Sequence, residues 1–301
     1  MIDNGLLKYY PEYFDEFGRL QYFRFRKTNE KSIPCHDVKK AQLKDKFFTK
    51  VNSGTFYYEK DFIEDYSYIN AHKDKANSEI LLSQIFANEG FNTAIYLPTV
   101  SEDKITSAVS NDISKPNSML MADYVDLAQK TYENFKNPFR NDKSYSPKEL
   151  CLQTYFKEKA LRDYVKMHVL DVACGNIDRD FRNFIVDVEE DENNLPIIQD
   201  IRLFDYAQAG LYSYPEYSYL GFVNGLGNGK SKNMQQMIEE FKSNELVNRF
   251  YNPSELSEML GNIDVVETAR DIKETINYEI DDGLVTKFAR LIDDTAEGLI
   301  K

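Results

Sequence analysis

Three polar side chains stand at spacings that suit the transfer of a phosphoryl group from Mg-ATP. Asp178 and Asn183 lie five residues apart in a stretch typical of a loop, and Asp205 follows an apolar, strand-like segment. Such a transfer needs one carboxylate that accepts or orients the attacking hydroxyl. It also needs amide and carboxylate oxygens that hold magnesium, a hard cation that prefers oxygen ligands. Kinase-like chemistry is therefore the leading interpretation of these residues.

The surrounding segments give a geometric reason to treat the three residues together. Taken singly, each is typical of an ordinary turn, since Asp and Asn fill turns for backbone reasons. Residues 184–186 and 197–204 are apolar and strand-like, however, and the acidic stretch 189–194 between them predicts a turn. The resulting hairpin is expected to bring Asp205, after its second strand, beside Asn183, before its first.

Residues 175–183, which read Gly-Asn-Ile-Asp-Arg-Asp-Phe-Arg-Asn, resemble the Gly-Asn-x-Asp-Arg-His-x-x-Asn catalytic loop of HipA-like serine/threonine kinases. That loop is related to the one in phosphatidylinositol 3- and 4-kinases. Asp171 also matches the Asp that opens the motif. The resemblance implies that Asp178 is the catalytic base, that Asn183 and Asp205 bind magnesium, and that ATP and Mg²⁺ are the cofactors.

Two positions depart from the family pattern. Asp180 stands where the family usually has His, which adds negative charge near the expected phosphates. Asp205 is followed by Tyr206, where Gly is common, and this stiffens the start of the activation segment. Both departures bear on the catalytic rate more than on the fold.

A lysine and a glutamate precede the loop in the order that kinases use. A short β-favourable stretch carries Lys50, and Lys44 and Lys46 stay open as alternatives within the usual error of strand boundaries. A helical period that begins at Asn77 places Glu79 in the first turn of a helix, with Asn77 or Ser78 as its cap and Gly90 at its end. This order resembles the kinase ion pair that positions the phosphate-binding lysine, so Lys50 and Glu79 are expected to complete the catalytic set.

A predicted β-hairpin, formed by residues 91–100 and 105–109, leads into a polar stretch. In a kinase, backbone groups at this position bind adenine, whereas an ordinary hairpin exit is the alternative. The residues expected to contact the nucleotide here are Val109, Ser110, Asn111 and Asp112.

The Gly-rich loop that covers the phosphates in kinases is missing, because no glycine occurs between Gly18 and Lys50. Residues 32–37 are the candidate substitute turn. A Gly-rich stretch at 225–231 superficially resembles a P-loop but lacks its glycine spacing. It is expected to be a flexible activation or substrate segment.

Composition narrows the class of partner. The net charge of −13 argues against nucleic acid or an anionic membrane as the main partner, since both attract basic surfaces. Cys35, Cys151 and Cys174 show no paired metal-ligand spacing and are expected to be free thiols in a reducing compartment. No apolar run approaches the length of a membrane span, so the cytoplasm is the expected location.

These observations predict an α+β, two-lobed, protein-kinase-like fold. Its smaller lobe, residues 1–113, would contain antiparallel strands and one helix. Its larger lobe, residues 114–301, would be mainly helical and carry the catalytic loop and the metal site. The helices expected in this larger lobe are residues 147–167, 233–250, 253–260, 265–276 and 284–300.

The expected activity is transfer of the γ-phosphate of ATP to a Ser or Thr hydroxyl of a protein. HipA-like proteins often act as toxin kinases paired with an antitoxin, so an antitoxin-like protein partner is a further expectation from the resemblance. Three alternatives stay open: a lipid or small-molecule kinase of the same fold, a nucleotide-binding pseudokinase that acts as a scaffold, and an AMP transferase.

Overall fold

The chain has a mixed α+β fold, as its sequence predicts. The structure is a computed structural model, and most of the residues it describes lie from residue 73 onward. The described residues are 24–25, 73–101, 106–110, 113, 115, 117–132, 154–176, 179, 181, 183–206, 209–210, 234–276 and 278–301. Helices and short antiparallel strands alternate through this part of the chain.

The chain divides into two compact units. The first comprises the described residues within Met1–Ile113, Asp205–Ala207 and Asp264–Thr286. The second comprises those within Ser114–Phe204, Gln208–Ile263 and Lys287–Lys301.

The sheet of the first unit contains the predicted hairpin. Strand β1 (Arg24–Phe25) runs parallel to β3 (Tyr96–Ser101), which pairs antiparallel with β4 (Thr106–Ser110). A separate short strand, β2 (Asn92–Thr93), precedes β3. The prediction of one continuous strand over residues 91–100 was therefore wrong at residues 94–95, where the backbone leaves the extended ladder before Tyr96 joins it.

Helix α1 (Lys73–Asn88) precedes strands β2, β3 and β4 and ends where the sequence predicts. Gly90 adopts φ 86°, and the Phe91 N–H donates to the carbonyl of Phe86 at 3.0 Å, which closes the last turn as a left-handed glycine allows. The predicted start was wrong, because the helix begins four residues before Asn77. Asn77 is consequently buried inside the helix instead of capping it.

The second unit is built around the predicted hairpin of strands β6 (Phe184–Glu190) and β7 (Pro196–Leu203). Strand β5 (Ser118–Leu120) pairs antiparallel with the other side of β6. The turn is closed by a hydrogen bond of 2.9 Å from the Asp191 N–H to the Leu195 carbonyl. The hairpin confirms the sequence prediction and pairs Phe184 with Leu203 at its open end.

A buried ion pair holds this sheet in register. Asp187 on β6 accepts hydrogen bonds from the guanidinium of Arg202 on β7, with Nε–Oδ1 at 2.9 Å and Nη2–Oδ2 at 2.8 Å. It also accepts one from Ser118 on β5. Burial alone would raise the pKa of Asp187, but the hydrogen bonds from Arg202 and Ser118 outweigh it and lower this pKa to about 2. One carboxylate therefore ties together all three strands.

The later helices agree largely with the sequence prediction, whereas the helix Met121–Thr131 was not predicted. Asn252 and Glu255 form a capping box at the start of the helix Pro253–Gly261. The helix predicted over 233–250 is split at Asn244, whose side chain accepts from the Leu246 and Val247 N–H groups. None of the described helices is long and apolar enough to cross a membrane. These helices are α2 Met121–Thr131, α3 Glu158–Ala173, α4 Met234–Ser243, α5 Glu245–Phe250, α6 Pro253–Gly261, α7 Val265–Ile276 and α8 Asp282–Ile300.

Helix α3, which precedes the predicted catalytic loop, lies further along the chain than predicted. The prediction of a helix over 147–167 was wrong at Tyr155 and Phe156. These residues bind β7 instead, because the Ile198 N–H donates to the Tyr155 carbonyl and the Lys157 N–H donates to the Ile198 carbonyl, both at 2.9 Å. The helix starts after this bridge and continues to Ala173, directly before the loop.

Two glycines with left-handed backbones offer a matched test of packing in the second unit. A Cβ at Gly210 would lie 2.6 Å from the buried ring of Phe288, whereas a Cβ at Gly90 would meet no atom within 4 Å. Both substitutions to Ala incur the backbone cost of a positive φ, about 1 kcal/mol. Gly210→Ala is expected to destabilise the chain by about 1–3 kcal/mol more than Gly90→Ala, as measured by urea unfolding. Equal losses would contradict this contact.

Candidate active site

Arg179 anchors the predicted catalytic loop from within. Its side chain is 1% exposed, and its guanidinium binds the Asp171 carboxylate with Nε–Oδ2 at 2.9 Å and Nη2–Oδ1 at 3.1 Å. Its Nη1 donates to the Asn183 carbonyl at 2.7 Å and to the Phe204 carbonyl. Arg179 therefore fixes the backbone immediately before β6 and immediately after β7.

The same carboxylate also shapes the start of the loop. Asn176 donates from its Nδ2 to Asp171 Oδ1 at 2.7 Å, and its backbone N–H donates to the Asp171 carbonyl at 2.7 Å. Gly175 turns the chain with φ 64°. Burial raises the pKa of Asp171, while Arg179 and Asn176 act in the opposite direction. The end of α3 is thus folded back on the loop that it introduces.

His168 lies one turn before Asp171 on α3 and is neutral. Its ring packs edge-on against Tyr164, with the two ring centroids 4.6 Å apart. Burial, with the charge of Arg179 in second place, lowers the pKa of His168 from 6.5 to about 3. At neutral pH the His168 ring therefore places no second positive charge next to the Arg179 guanidinium.

Asp205 has an unusual backbone in the first unit. Its φ is 65°, a left-handed value that is uncommon for a residue with a Cβ, and its side chain is only 6% exposed. Its backbone N–H donates to the hydroxyl of Tyr96 at 3.2 Å. The predicted metal ligand is therefore held in a sparsely populated conformation, as is common at functional sites.

Glu79 is fully buried on α1, and its Oε2 accepts the backbone N–H of Tyr206 at 3.3 Å. Because α1 starts earlier than predicted, Glu79 lies in the second helical turn and not the first. One turn further on, Ser83 Oγ accepts the Tyr96 N–H at 3.2 Å. This face of α1 thus contacts both β3 and the segment that follows Asp205.

Tyr96 and Tyr206 share an aromatic cluster with α1. The Tyr206 ring lies 4.9 Å from that of Phe86 and 6.5 Å from that of Tyr96, measured between ring centroids. The Tyr206 hydroxyl is 2.6 Å from Thr93 Oγ1. Burial, followed by the nearby charges of Glu79 and Asp205, raises the pKa of Tyr96 well above its usual value, so this phenol stays protonated.

Several predicted site residues lie outside the described part of the chain. Val109 and Ser110 belong to β4, paired with Leu97 and Tyr96, and their contact with a nucleotide stays a prediction. Among the described residues there is no cluster of three or more His, Cys, Asp or Glu side chains that could hold a metal ion. A pair made of one amide and one carboxylate, as predicted here, would not form such a cluster. The predicted residues outside the described part are Lys50, Asn111, Asp112 and Asp178, together with Asp180 and the alternatives Lys44 and Lys46.

The sequence prediction assigned no role to four residues of this site. Arg179 and Tyr96 were noticed only as parts of longer stretches, and Thr93 and Ser83 were not singled out. The available signal for Arg179 was a permanently charged side chain between Asp178 and Asp180, eight residues after Asp171. The others are uncharged residues far along the chain from Asp205, and no local pattern marks them.

Comparison with known proteins gives similarities to solved structures. No protein-family model matches the chain, and no curated protein sequence matches it significantly. Among solved structures, it is similar to the crystal structure of the proinflammatory kinase CtkA of Helicobacter pylori. The match has 16% sequence identity and a TM-score of 0.46, and it covers 74% of this chain and 80% of that one.

Removing the Arg179 guanidinium should distinguish its effect on stability from its effect on the position of the Asn183 and Phe204 backbone. Arg179→Met leaves the buried Asp171 carboxylate without its counter-charge and is expected to cost about 3–5 kcal/mol of unfolding free energy. The double variant Asp171→Leu/Arg179→Met removes both charges and should regain much of that loss in urea unfolding. The phosphotransfer activity proposed below should stay low in the double variant, since the Asn183 and Phe204 carbonyls still lack their donor. Full recovery of both the unfolding free energy and this activity would contradict the anchoring role.

The buried His168 predicts a specific pH dependence. Its folded pKa, about 3, lies below the unfolded value of 6.5. Its contribution to stability is therefore fully present above pH 6.5 and is lost as the pH falls towards 3. Between pH 4.5 and 6.5 the unfolding free energy of His168→Phe should fall less steeply than that of the native chain, by about 1.4 kcal/mol per pH unit. Identical slopes in urea unfolding would contradict a buried neutral imidazole.

Proposed function

We propose that the chain is a phosphotransferase that moves the γ-phosphate of ATP to a Ser or Thr hydroxyl of a protein, like the HipA-like kinases that its loop resembles. One observation carries the proposal. The buried guanidinium of Arg179 binds the carbonyl of Asn183 and the carbonyl of Phe204, the residue before Asp205. The backbone at the two predicted metal-binding positions is thus tied to a residue of the catalytic loop itself.

The donor set fits magnesium. Asn183 offers an amide oxygen and Asp205 a carboxylate, and both are hard oxygen ligands. The left-handed backbone of Asp205 is held by hydrogen bonding, which supports a functional orientation of its side chain. Magnesium held by these residues would neutralise the negative charge that develops on the phosphates during transfer.

The other residues take the roles that the loop resemblance implies. Asp178 holds the substrate hydroxyl and accepts its proton as the hydroxyl oxygen attacks the γ-phosphorus, whose bond to the bridging oxygen breaks and releases ADP. Lys50 binds the α- and β-phosphates, and Glu79 is its partner. The burial of Glu79 and its hydrogen bond from Tyr206 support this role, because a buried carboxylate favours a nearby cation. Val109, Ser110, Asn111 and Asp112 complete the proposal as the segment that contacts adenine.

A protein substrate and an antitoxin-like protein partner belong to the same proposal, since HipA-like kinases act on and with proteins. The net charge of −13 disfavours nucleic acid and anionic lipid surfaces as partners. It also favours a cytoplasmic acceptor over a membrane lipid.

A nucleotide-binding pseudokinase is the second candidate function, and a specific observation favours it. Asp180 adds negative charge to the loop, and no glycine lies between Gly18 and Lys50 to cover the phosphates closely. Such a protein would bind the nucleotide and gain thermal stability from it without turnover.

Label transfer from ATP tests the proposed activity. With Mg²⁺ and ATP labelled in the γ-phosphate, the chain should label Ser- and Thr-containing peptides or itself. Asp178→Ala and Asp205→Asn should reduce the rate by at least about 100-fold, whereas Asp126→Asn, at an exposed position on α2, should leave it unchanged.

The label also separates the alternatives. Incorporation of α-label would indicate AMP transfer, and label in a lipid or small molecule but in no protein would indicate a different acceptor class. Thermal stabilisation by the nucleotide without any label transfer would support the pseudokinase. Label transfer that is unaffected by Asp178→Ala and Asp205→Asn would contradict the proposed site.

A further inference from the structure

We infer that the hydroxyl of Tyr96 is a positioning group for magnesium, because it holds the backbone of Asp205 in its left-handed conformation, with the Thr93–Tyr206 hydroxyl pair as a second anchor. The inference rests on the proposed function, in which Asp205 binds the metal. It assigns a role to three residues that the catalytic motif does not contain.

The backbone of Asp205 needs support from neighbouring groups. With φ at 65°, the residue adopts a conformation that disfavours any side chain with a Cβ, so neighbouring groups must hold it there. Its N–H is directed to the Tyr96 hydroxyl, which accepts at 3.2 Å in a fully buried position. Loss of that oxygen would leave a buried N–H without its acceptor and would favour a return to negative φ.

The next residue along the chain, Tyr206, is also anchored. Tyr206 is fully buried, its N–H donates to Glu79 Oε2 at 3.3 Å, and its hydroxyl is 2.6 Å from Thr93 Oγ1. Three elements of the first unit, α1, β2 and β3, therefore each bind the two-residue segment Asp205–Tyr206 through a different polar group. A Phe at position 206 could fill the same space but could not make the contact with Thr93.

The conformation of Asp205 sets the direction of its carboxylate and thereby bears on magnesium affinity. Magnesium demands near-ideal octahedral ligand positions, so its affinity depends on a carboxylate that is already correctly directed. The Tyr96 hydroxyl does not touch the metal or the nucleotide in this account and acts only through the backbone of Asp205. Its loss should consequently raise the magnesium requirement more than it changes the maximal rate.

A matched tyrosine in the second unit serves as the control. Tyr124 is also fully buried, and its hydroxyl donates to the Pro196 carbonyl at 2.7 Å, a contact within the second unit. Tyr124→Phe removes one buried hydroxyl, as Tyr96→Phe does. A purely structural role for Tyr96 would make the two variants behave alike.

The experiment titrates Mg²⁺ against the full-length chain in the presence of an ATP analogue with a β–γ imide bridge. Binding is read from the rise in Tm, and the half-saturating Mg²⁺ concentration for phosphotransfer from ATP is measured in parallel. Tyr96→Phe should raise both half-saturating concentrations by about five-fold, the effect of one lost hydrogen bond. Thr93→Val should raise them by a smaller factor, and Tyr124→Phe should leave both at the native value.

The outcomes distinguish this inference from the proposed function. A native chain that shows Mg²⁺-dependent stabilisation, with an unchanged requirement in Tyr96→Phe and Thr93→Val, overturns the positioning role alone. An equal increase in Tyr124→Phe overturns it as well, since the effect would then follow from lost stability. A native chain with neither Mg²⁺-dependent nucleotide binding nor phosphotransfer overturns the proposed function. If Tyr96→Phe does not fold, the isosteric Thr93→Val decides the question.

Discussion

A buried guanidinium is the constraint on which the candidate site depends. Arg179 is removed from solvent, so the loss of hydration must be offset by a full set of partners. Asp171 supplies the opposite charge, and the Asn183 and Phe204 carbonyls accept the remaining hydrogen bonds. A buried pair of this kind adds little net stability compared with apolar packing. Its effect is to specify one backbone arrangement for the loop and for the open end of the β6–β7 hairpin.

A second polar arrangement performs a similar task in the first unit. The segment Asp205–Tyr206 is bound through backbone N–H groups by Tyr96 and Glu79 and through a side-chain hydroxyl by Thr93. Here the stabilised feature is a strained conformation, since Asp205 has a positive φ. Strain at a residue with a carboxylate side chain is physically reasonable when the direction of that carboxylate matters for binding.

Local patterns in the sequence predicted much of the fold. Alternating apolar residues and an acidic turn were sufficient for the β6–β7 hairpin, and Asn252 with Glu255 was sufficient for the start of α6, because these signals act over a few residues. The start of α1 was predicted too late, because Asn77 is a residue type that commonly caps helices. In the structure Asn77 is buried by tertiary packing instead, and its Oδ1 accepts a hydrogen bond of 2.7 Å from the Tyr278 hydroxyl.

Contacts between distant parts of the chain could not be predicted in this way. Tyr155 and Phe156 have the helical period of the residues that follow, but they join Ile198 on β7 and so lie before α3. The partners of the segment Asp205–Tyr206 are far away along the chain, since Asp205 binds Tyr96 on β3, 109 residues away, and Tyr206 binds Glu79 on α1, 127 residues away. Nothing in the local sequence indicates these partners. The motif predicted which residues could do chemistry, whereas the hydrogen bonds that orient them emerge only from the folded chain.

The most direct measurement is a crystal structure of the chain with Mg²⁺ and the imide-bridged ATP analogue. The account predicts a magnesium ion about 2.1 Å from the amide oxygen of Asn183 and from a carboxylate oxygen of Asp205, with the Arg179 hydrogen bonds intact. A nucleotide bound elsewhere, or a metal ion that contacts neither residue, would contradict it.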